Sequence, residues 1–218
     1  MTRPARLPLD QLQPYLLDVP HPRYLRPEQL PATSPTLDWP GLFGRIAPVE
    51  IEVGFGKGAF LVASAQTRPT VNFLGIEIER KYTMATAARL AKHSLTNVKL
   101  ACTDARWFFN AYVADRSVDA VHVYFPDPWW KHRHKKRLLF TPEFALGVAR
   151  ILKSDGTFHF ATDVQDYFVQ SVELVREQGR LREVTIDEPT ILTNFERKYR
   201  AEGRSIYRTG FRVREIDN

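Results

Sequence analysis

The stretch of this 218-residue chain best equipped for chemistry is Tyr124-Phe125-Pro126-Asp127-Pro128-Trp129-Trp130. Its carboxylate lies between two prolines, which fix their own φ angles and disfavour helix in the residue before each. Asp127 is therefore predicted to lie on stiff, non-helical backbone, which suits a group that must orient a ligand. The next seven residues, Lys131-His132-Arg133-His134-Lys135-Lys136-Arg137, are all Lys, Arg or His. Alone, such a run is more typical of a solvated surface loop, so its meaning depends on the rest of the chain.

A glycine-rich loop, Glu52-Val53-Gly54-Phe55-Gly56-Lys57-Gly58, follows a predicted strand and precedes a predicted helix. Glycines there let the backbone approach a ligand closely and adopt dihedral angles that other residues resist. The spacing G-x-G-x-G, with an acid two residues earlier, is typical of the loop that binds S-adenosylmethionine. The dinucleotide pattern G-x-G-x-x-G would place its third glycine at Ala59, where alanine is sometimes accepted.

Two more carboxylates follow the next two predicted strands. Glu77 can accept hydrogen bonds from two ribose hydroxyls, a feature that NAD and S-adenosylmethionine sites share. Asp104 can accept a hydrogen bond from an adenine amine, or it can simply cap a helix. Because the three features occur in order at successive strand ends, we interpret them as one cofactor site, with the candidate ligands Glu52, Gly54, Gly56, Gly58, Glu77 and Asp104.

Alternating strands and helices must position these groups. Strands are predicted at 49–53, 71–76, 98–101, 119–124, 157–161, 181–186 and 205–213. Helices are predicted at 59–66, 79–93, 105–112 and 141–152, and a further one is capped by Asp163 and stops at Gly179. This order predicts an α/β fold: a doubly wound, mostly parallel seven-stranded sheet with helices on both faces and an antiparallel last strand. Ligands of such sheets bind beyond the carboxyl ends of the strands.

The first 47 residues are different in character, because ten of the fifteen prolines lie at or before Pro48. Such density excludes long helices and central strands. We interpret residues 1–47 as a proline-rich extended arm and residues 48–218 as the folded domain. The side chains expected to anchor the arm are Tyr15, Leu16, Leu17, Tyr24 and Trp39.

Composition narrows the class of partner. The net charge of +6 and the pI of about 9.5 favour a polyanion. A single cysteine, Cys102, excludes an intramolecular disulfide and a multi-cysteine zinc site. No metal site is predicted, because the surrounding basic residues would repel a cation from His132 and His134. No apolar run approaches the roughly 18 residues of a membrane span, and residues 1–6 lack the apolar core of a signal peptide, so a cytoplasmic protein is predicted.

The motifs of the chain resemble those of the bacterial tRNA (guanine-N7-)-methyltransferases. The resemblance runs from about residue 48 to the C-terminus. It is carried by the glycine-rich loop, Gly75-Ile76-Glu77, Phe125 to Arg137, Ala161-Thr162-Asp163 and Thr193-Asn194-Phe195-Glu196. The resemblance implies a class I methyltransferase that transfers a methyl group from S-adenosylmethionine to N7 of a guanine in the variable loop of tRNA.

The resemblance also implies residue roles. Asp127 would be the catalytic residue, and Glu52, Glu77, Asp104 and Asp127 would contact the cofactor or lie at the reaction centre. The tRNA would be bound by Lys131, Arg133, Asp163, Thr193, Asn194, Phe195 and Glu196. Family members usually carry a second arginine where this chain has Leu138, which implies one phosphate contact fewer. The segment from Thr193 to Glu196 is expected to open a helix as a capping box, to clamp the substrate, or to do both.

Three alternatives stay open at this point. The first is a methyltransferase that uses the same cofactor on another RNA or DNA base. The second is an NAD-dependent dehydrogenase, and the third is a non-catalytic RNA-binding protein with a methyltransferase fold. No obligate protein partner is predicted, and a monomer or a homodimer is expected.

Overall fold

The computed structural model describes residues 7–20, 36–128 and 138–214. The strands in these ranges are β1 (Val49–Val53), β2 (Asn72–Glu77), β3 (Val98–Cys102), β4 (Val118–Tyr124), β5 (Leu152–Thr162), β6 (Leu181–Val184) and β7 (Tyr207–Val213). The helices are α1 (Leu9–Leu12), α2 (Trp39–Phe43), α3 (Ala59–Thr67), α4 (Arg80–Lys92), α5 (Ala105–Tyr112), α6 (Pro142–Ile151), α7 (Gln165–Glu177) and α8 (Asn194–Ala201), and a short 3-10 helix spans Gln13–Tyr15. Among these helices, none has the length and apolar character that crossing a membrane requires.

The strands form one sheet in the order β3-β2-β1-β4-β5-β7-β6. β1 pairs in parallel with β2 and β4, β2 pairs in parallel with β3, and β4 with β5. β7 runs antiparallel to both of its neighbours, β5 and β6. The predicted doubly wound, mostly parallel seven-stranded sheet with an antiparallel last strand is confirmed, and β7 lies inside the sheet while β6 forms its edge.

Alternation of side chains along the strands creates a separate core on each face of the sheet. Val49, Ile51 and Val53 of β1 face the larger core. Helices α5, α6 and α7 cover that core with the buried side chains Phe108, Phe109, Phe144, Val148, Val172 and Val175. Phe73 of β2 faces the other core, which α3 and α4 cover with Leu61, Val62, Ala65, Ala87 and Leu90. Both faces of the sheet are therefore buried by helices, and ligands must approach from the ends of the strands.

Strand β5 begins five residues earlier than predicted. Val118 pairs with Leu152, whereas Ala120 pairs with Thr157, so residues 153–156 bulge opposite the single residue Asp119. The side chain of Lys153 lies 2.8 Å from Oδ1 of Asp119, which holds the bulge against β4. Residues 153–156, Lys-Ser-Asp-Gly, separate the predicted helix at 141–152 from the predicted strand at 157–161. In the structure they form a bulge that keeps the strand continuous. The other predicted strands and helices from β1 to β7 agree with the structure to within two residues at each end.

The proline-rich arm contains short helices and is therefore less extended than predicted. Three prolines in the described part of the arm lie where helices tolerate them: Pro8 is the N-cap residue of α1, and Pro14 and Pro40 lie in first turns. Leu12 and Tyr15 are buried, and the Leu17 amide donates to the Leu100 carbonyl across 2.8 Å. Leu16 forms a parallel bridge to Leu100, and Trp39 is buried in the larger core. Tyr24 lies outside the described residues.

Candidate active site

The order of the strands creates a crevice at the carboxyl ends of β1 and β4. The chain leaves β1 towards β2 on one side and leaves β4 towards β5 on the other, so the two connections diverge at this point. Residues that follow the parallel strands all lie at this edge of the sheet. They include most of the predicted site residues, namely Glu52, Gly54, Gly56, Gly58, Glu77, Asp104, Asp127 and Asp163.

The glycine-rich loop has the left-handed backbone that only glycine adopts without strain. Gly54, Gly56 and Gly58 have φ angles of 76°, 50° and 65°. A Cβ atom added to Gly54 or Gly56 would meet no atom within 4 Å, whereas one added to Gly58 would lie 2.3 Å from Cγ2 of Thr86. Gly54 and Gly56 therefore border open space in which a ligand can lie, and Gly58 allows the loop to pack against α4.

Glu52, the next-to-last residue of β1, keeps only 4% of its surface exposed. Burial and the negative charge of Glu77 raise the pKa of its carboxyl group to about 8, and the backbone amide of Leu61 lowers it by less. Within the described part of the chain, Oε2 of Glu52 is buried and has no hydrogen-bond partner. A buried oxygen in this state costs free energy unless a ligand supplies a donor or a positive charge. The environment of Glu52 therefore suits a cationic ligand.

Glu77, the last residue of β2, connects this strand to the glycine-rich loop that follows β1. Its Oε2 accepts a hydrogen bond from the Gly56 amide at 2.9 Å, and its Oε1 accepts one from the Glu79 amide at 3.0 Å. Burial raises the pKa of Glu77, and the amides of Glu79, Gly56 and Ile78 lower it by less. Each carboxylate oxygen can accept a second hydrogen bond, so Glu77 can still bind a donor in the crevice.

Asp104 follows β3 and caps α5, which is one of the two roles predicted for it. Its Oδ1 accepts from the Arg106 amide at 2.9 Å, and its Oδ2 accepts from Nη2 of Arg106 at 2.6 Å. Burial by itself would raise the pKa of Asp104, but the hydrogen bonds and the charge of Arg106 more than offset it and lower the pKa. Asp104 is therefore a rigid carboxylate whose position is set by its own helix.

Asp127 is exposed, and an unusual turn sets its direction. Phe125 has a φ angle of 53°, a region that bulky side chains rarely occupy, and it precedes a proline. Its amide donates to the Ala161 carbonyl at 2.8 Å, and its ring lies 5.5 Å from Tyr199 and 6.4 Å from Phe195. These contacts stabilise a strained conformation at the carboxyl end of β4, directly before Asp127.

Asp163 does not cap α7, contrary to the prediction. The N-cap residue is Val164, whose amide donates to the Thr162 hydroxyl at 3.3 Å. The carboxylate of Asp163 instead lies 2.6 Å from Nη1 of Arg204. This ion pair connects the end of β5 to the segment that follows α8.

The segment from Thr193 to Glu196 opens helix α8. The Thr193 hydroxyl accepts from the Glu196 amide at 3.0 Å, so half of the predicted capping box is present. The Glu196 side chain does not complete the box, because it is 1% exposed and accepts from Arg200 at 2.8 Å and Arg208 at 2.5 Å. Asn194 and Phe195 point outward, and Phe195 is 52% exposed.

The described residues do not include four aromatic and basic residues that follow Asp127, namely Trp129, Trp130, Lys131 and Arg133. Within the described ranges, no group of three or more His, Cys, Asp and Glu side chains could hold a metal ion.

Two sets of interacting polar residues were not predicted from the sequence. The first is a buried chain formed by Glu50, His122 and Tyr124, and the second is a set of arginines, Arg200, Arg204 and Arg208, that pair with Glu196 and Asp163. The sequence did offer a sign of the first set: Glu50 and His122 are polar residues at inward positions of central strands, where apolar residues are expected. The pairing of Arg200 with Glu196 could also have been predicted, because Arg200 follows Glu196 by one helical turn.

The strand order, the antiparallel β7 and the crevice between β1 and β4 define the fold of the class I methyltransferases. A solved structure of the 16S rRNA methyltransferase KamB matches with a TM-score of 0.58 and 16% identity over 80% of this chain and 92% of that chain. The aminoglycoside resistance methyltransferase NpmB1 matches with a TM-score of 0.56 and 20% identity over 77% and 87% of the two chains. At this identity, the matches establish the fold alone.

Sequence comparison then identifies the family. The family model described as "Putative methyltransferase" matches residues 46–209. The tRNA (guanine-N(7)-)-methyltransferase of Rhodopirellula baltica is 43% identical over 201 residues, which is 86% of this chain and 73% of that protein. The enzyme of the same name from Aliivibrio salmonicida is 37% identical over 183 residues, 81% of this chain and 77% of that protein. The chain belongs to the tRNA (guanine-N(7)-)-methyltransferase family, which confirms the resemblance of its motifs and rules out the NAD-dependent dehydrogenase.

The packing of the glycine-rich loop predicts that Gly58→Ala lowers the free energy of unfolding by about 2–4 kcal/mol. A left-handed φ costs a residue with a side chain about 1–2 kcal/mol, and the overlap of the new Cβ with Thr86 adds to that cost. The matched control is Gly179→Ala, which has a φ of 69° but open space around its Cβ, so it should cost about 1–2 kcal/mol. Urea unfolding measures both, and equal losses would show that Gly58 does not pack against α4.

The buried carboxyl group of Glu52 predicts a pH-dependent effect of Glu52→Gln on the free protein. The folded state binds the proton of Glu52 more tightly than the unfolded state, because burial raises its pKa from 4.5 to about 8. The wild type therefore loses stability as pH rises from about 5 to 8, and glutamine, which does not titrate, avoids this loss. The melting temperature of the variant should exceed that of the wild type by several degrees at pH 8.5, with the difference shrinking towards pH 5.

Glu177→Gln is the control for this experiment, since it removes an exposed charge on α7. A difference between Glu52→Gln and the wild type that stays constant from pH 5 to pH 8.5 would contradict a buried carboxyl group that is protonated in the free protein.

Proposed function

We propose that the protein transfers a methyl group from S-adenosylmethionine to N7 of a guanine in the variable loop of tRNA. The observation that carries the proposal is the meeting of Asp127 and the glycine-rich loop at the carboxyl ends of β1 and β4, in a chain of this family. The crevice offers acids to a cationic cofactor on the β1 side, and exposed aromatic and basic groups to a nucleic acid on the β4 side.

The residues on the β1 side fit S-adenosylmethionine, whose sulfonium supplies an electrophilic methyl group. The open space beside Gly54 and Gly56 accommodates the ligand against the backbone, and the unpartnered oxygen of Glu52 suits its positive charge. Glu77 would accept hydrogen bonds from the ribose hydroxyls, and Asp104 would accept one from the adenine amine. The fit rests above all on Glu52, because its buried oxygen is explained by a cationic ligand.

Asp127 acts by position and charge. Guanine N7 has an in-plane lone pair, so a bond to the methyl carbon forms while the carbon–sulfur bond breaks and sulfur keeps the electron pair. No proton has to leave the purine, and a strong general base is unnecessary. The Asp127 carboxylate accepts hydrogen bonds from the N1 and N2 edge of guanine and offsets the positive charge that develops on the ring.

The distribution of charge supports tRNA as the substrate. Residues 194–214 contain seven Lys and Arg and two Glu, a net charge of +5, and residues 131–137 contain five Lys and Arg, also +5. Since the whole chain carries +6, the remaining residues sum to −4. The positive charge is therefore concentrated in two segments, as expected of a protein that binds phosphates next to its reaction centre.

Helix α8 supplies part of the substrate site. Asn194 and Phe195 are exposed at its first turn, and Phe195 lies beside Phe125, so its ring is available to stack on a base. Glu196 is buried behind Arg200 and Arg208, so its role is to hold α8 against β7 rather than to touch the tRNA. Lys131, Arg133 and Asp163 complete the proposed tRNA contacts.

The site also supports expectations about assembly and location. We expect a monomer or a homodimer without an obligate protein partner. A tRNA substrate favours a cytoplasmic enzyme.

The function is tested by incubating the protein with labelled S-adenosylmethionine and unmodified tRNA, followed by mapping of borohydride/aniline-sensitive cleavage. Cleavage in the variable loop is the expected result. Cleavage elsewhere in the tRNA would show that the enzyme methylates a guanine outside the variable loop. Methylation without any cleavage would show that it methylates another atom or another base. No methylation by folded protein that binds S-adenosylmethionine would favour the non-catalytic alternative.

Asp127→Asn is predicted to reduce the rate of methyl transfer at saturating substrates at least about 100-fold, because the charge that offsets the developing cation is lost. The dissociation constant for S-adenosylmethionine, measured by calorimetry, should change less than about threefold. Asp155 is an exposed acid in the bulge of β5, at the amino ends of the parallel strands and away from the crevice. Asp155→Asn is therefore the matched control and should keep full activity. Equal losses of cofactor affinity and rate in Asp127→Asn would make Asp127 a cofactor ligand instead.

A further inference from the structure

A chain of hydrogen bonds runs through the buried face of β1 and β4, below the crevice. Nη1 of Arg68 lies 2.7 Å from Oε1 of Glu50, and Oε2 of Glu50 lies 2.9 Å from Nε2 of His122. Nδ1 of His122 lies 3.0 Å from the hydroxyl of Tyr124, the last residue of β4. None of these side chains is required by the proposed chemistry, yet three polar groups have been placed where apolar residues would cost less.

The charge state of Glu50 determines which atom of its hydrogen bond to His122 is the donor. Burial by itself would raise the pKa of Glu50, but the hydrogen bond and charge of His122 and the charge of Arg68 lower it to about 2. Glu50 is therefore a carboxylate that can only accept, so Nε2 of His122 must carry the proton. The remaining ring nitrogen, Nδ1, lies 3.0 Å from the Tyr124 hydroxyl, and this hydrogen bond gives the tyrosine ring one defined orientation.

Packing on both sides holds the same groups. The ring of Phe60 in α3 lies 4.8 Å from His122 and 5.1 Å from Tyr124. The ring of His159 in β5 stacks on His122 at 4.8 Å with an interplanar angle of 14°. The histidine is thus confined between a helix and a neighbouring strand, and Tyr124 cannot rotate without losing its hydrogen bond.

Tyr124 is covalently joined to the strained turn that carries Asp127. It pairs with Ala161 in the sheet, and the next amide, that of Phe125, donates to the Ala161 carbonyl. A left-handed φ at a phenylalanine persists only when its surroundings oppose relaxation. Contacts with Tyr199 and Phe195 restrain the Phe125 ring. The hydrogen bond of the Tyr124 hydroxyl to His122 restrains the residue before Phe125.

We propose that Glu50, His122 and Tyr124 form a positioning relay for the reaction. The relay fixes the end of β4, maintains the left-handed turn at Phe125, and thereby holds Asp127 at the distance and angle that the guanine edge requires. The catalytic part of this inference rests on the proposed function, whereas the structural part concerns the turn itself.

The central test is Tyr124→Phe, which keeps the ring and its packing on Phe60 but removes the hydroxyl. The rate at saturating substrates should fall about 10- to 100-fold, because a small displacement of a positioning group has effects of that size. The dissociation constant for S-adenosylmethionine should change less than about twofold. Tyr112→Phe is the control, since Tyr112 is a half-buried tyrosine of α5 whose ring packs on Trp107 and Phe108, away from the relay.

A double-mutant cycle separates positioning from general loosening of the fold. If the hydroxyl acts through Asp127, then Tyr124→Phe should slow the Asp127→Asn variant less than about twofold. A full 10- to 100-fold loss in that background would overturn the relay. Glu50→Gln, which keeps an acceptor oxygen for Nε2, should retain more activity than Glu50→Ala.

Hydrogen exchange tests the turn without any methyl transfer. The Phe125 amide should exchange at least about tenfold faster in Tyr124→Phe than in the wild type, while the Val121 amide in the middle of β4 stays unchanged. Unchanged exchange at Phe125 would overturn the inference, whether or not the protein methylates tRNA. Normal tRNA methylation by Tyr124→Phe would overturn it while leaving the proposed function intact, and a wild type that fails to methylate would contradict the proposed function alone.

Discussion

The parallel pairing of β1 with β2 on one side and β4 on the other is the constraint on which the site depends. Val53 lies opposite both Ile76 and Val123, so three strands end at the same level of the sheet. The connections that follow must then diverge to opposite faces, and the space between them is a crevice bounded by backbone rather than by mobile side chains. The apolar cores on both faces keep the three strand ends at this level.

This geometry explains why much of the fold and part of the site could be predicted from sequence. A carboxylate directly after a strand lies at the carboxyl edge whatever the exact strand bounds are, so Glu77 and Asp104 could be placed without knowing the tertiary contacts. β2 is a nearly continuous apolar run, because both faces of a central parallel strand are buried. The capping of α5 by Asp104 was also predictable, since cap and amide are only two residues apart.

The features that escaped prediction depend on partners distant in sequence. Glu50 and His122 are 72 residues apart, and Asp163 and Arg204 are 41 residues apart, so no local pattern relates them. The bulge at the start of β5 was missed for the same reason, because Lys153 is held by Asp119 of the neighbouring strand. The predicted cap at Asp163 was wrong because its carboxylate pairs with Arg204, a partner that the local sequence around Asp163 does not reveal.

Charge is sorted across the crevice in a way that reconciles two ligands of opposite sign. A cationic cofactor requires acids nearby, and a polyanionic tRNA is repelled by acids that face it. Glu52 and Glu77 are buried on the side of the crevice proposed for the cofactor. On the side proposed for the tRNA, arginines pair with Asp163 and Glu196, namely Arg200 of α8, Arg204 after it and Arg208 of β7. In the proposed complex, the exposed Asp127 would therefore meet the guanine edge without nearby unpaired carboxylates that oppose the approach of the phosphates.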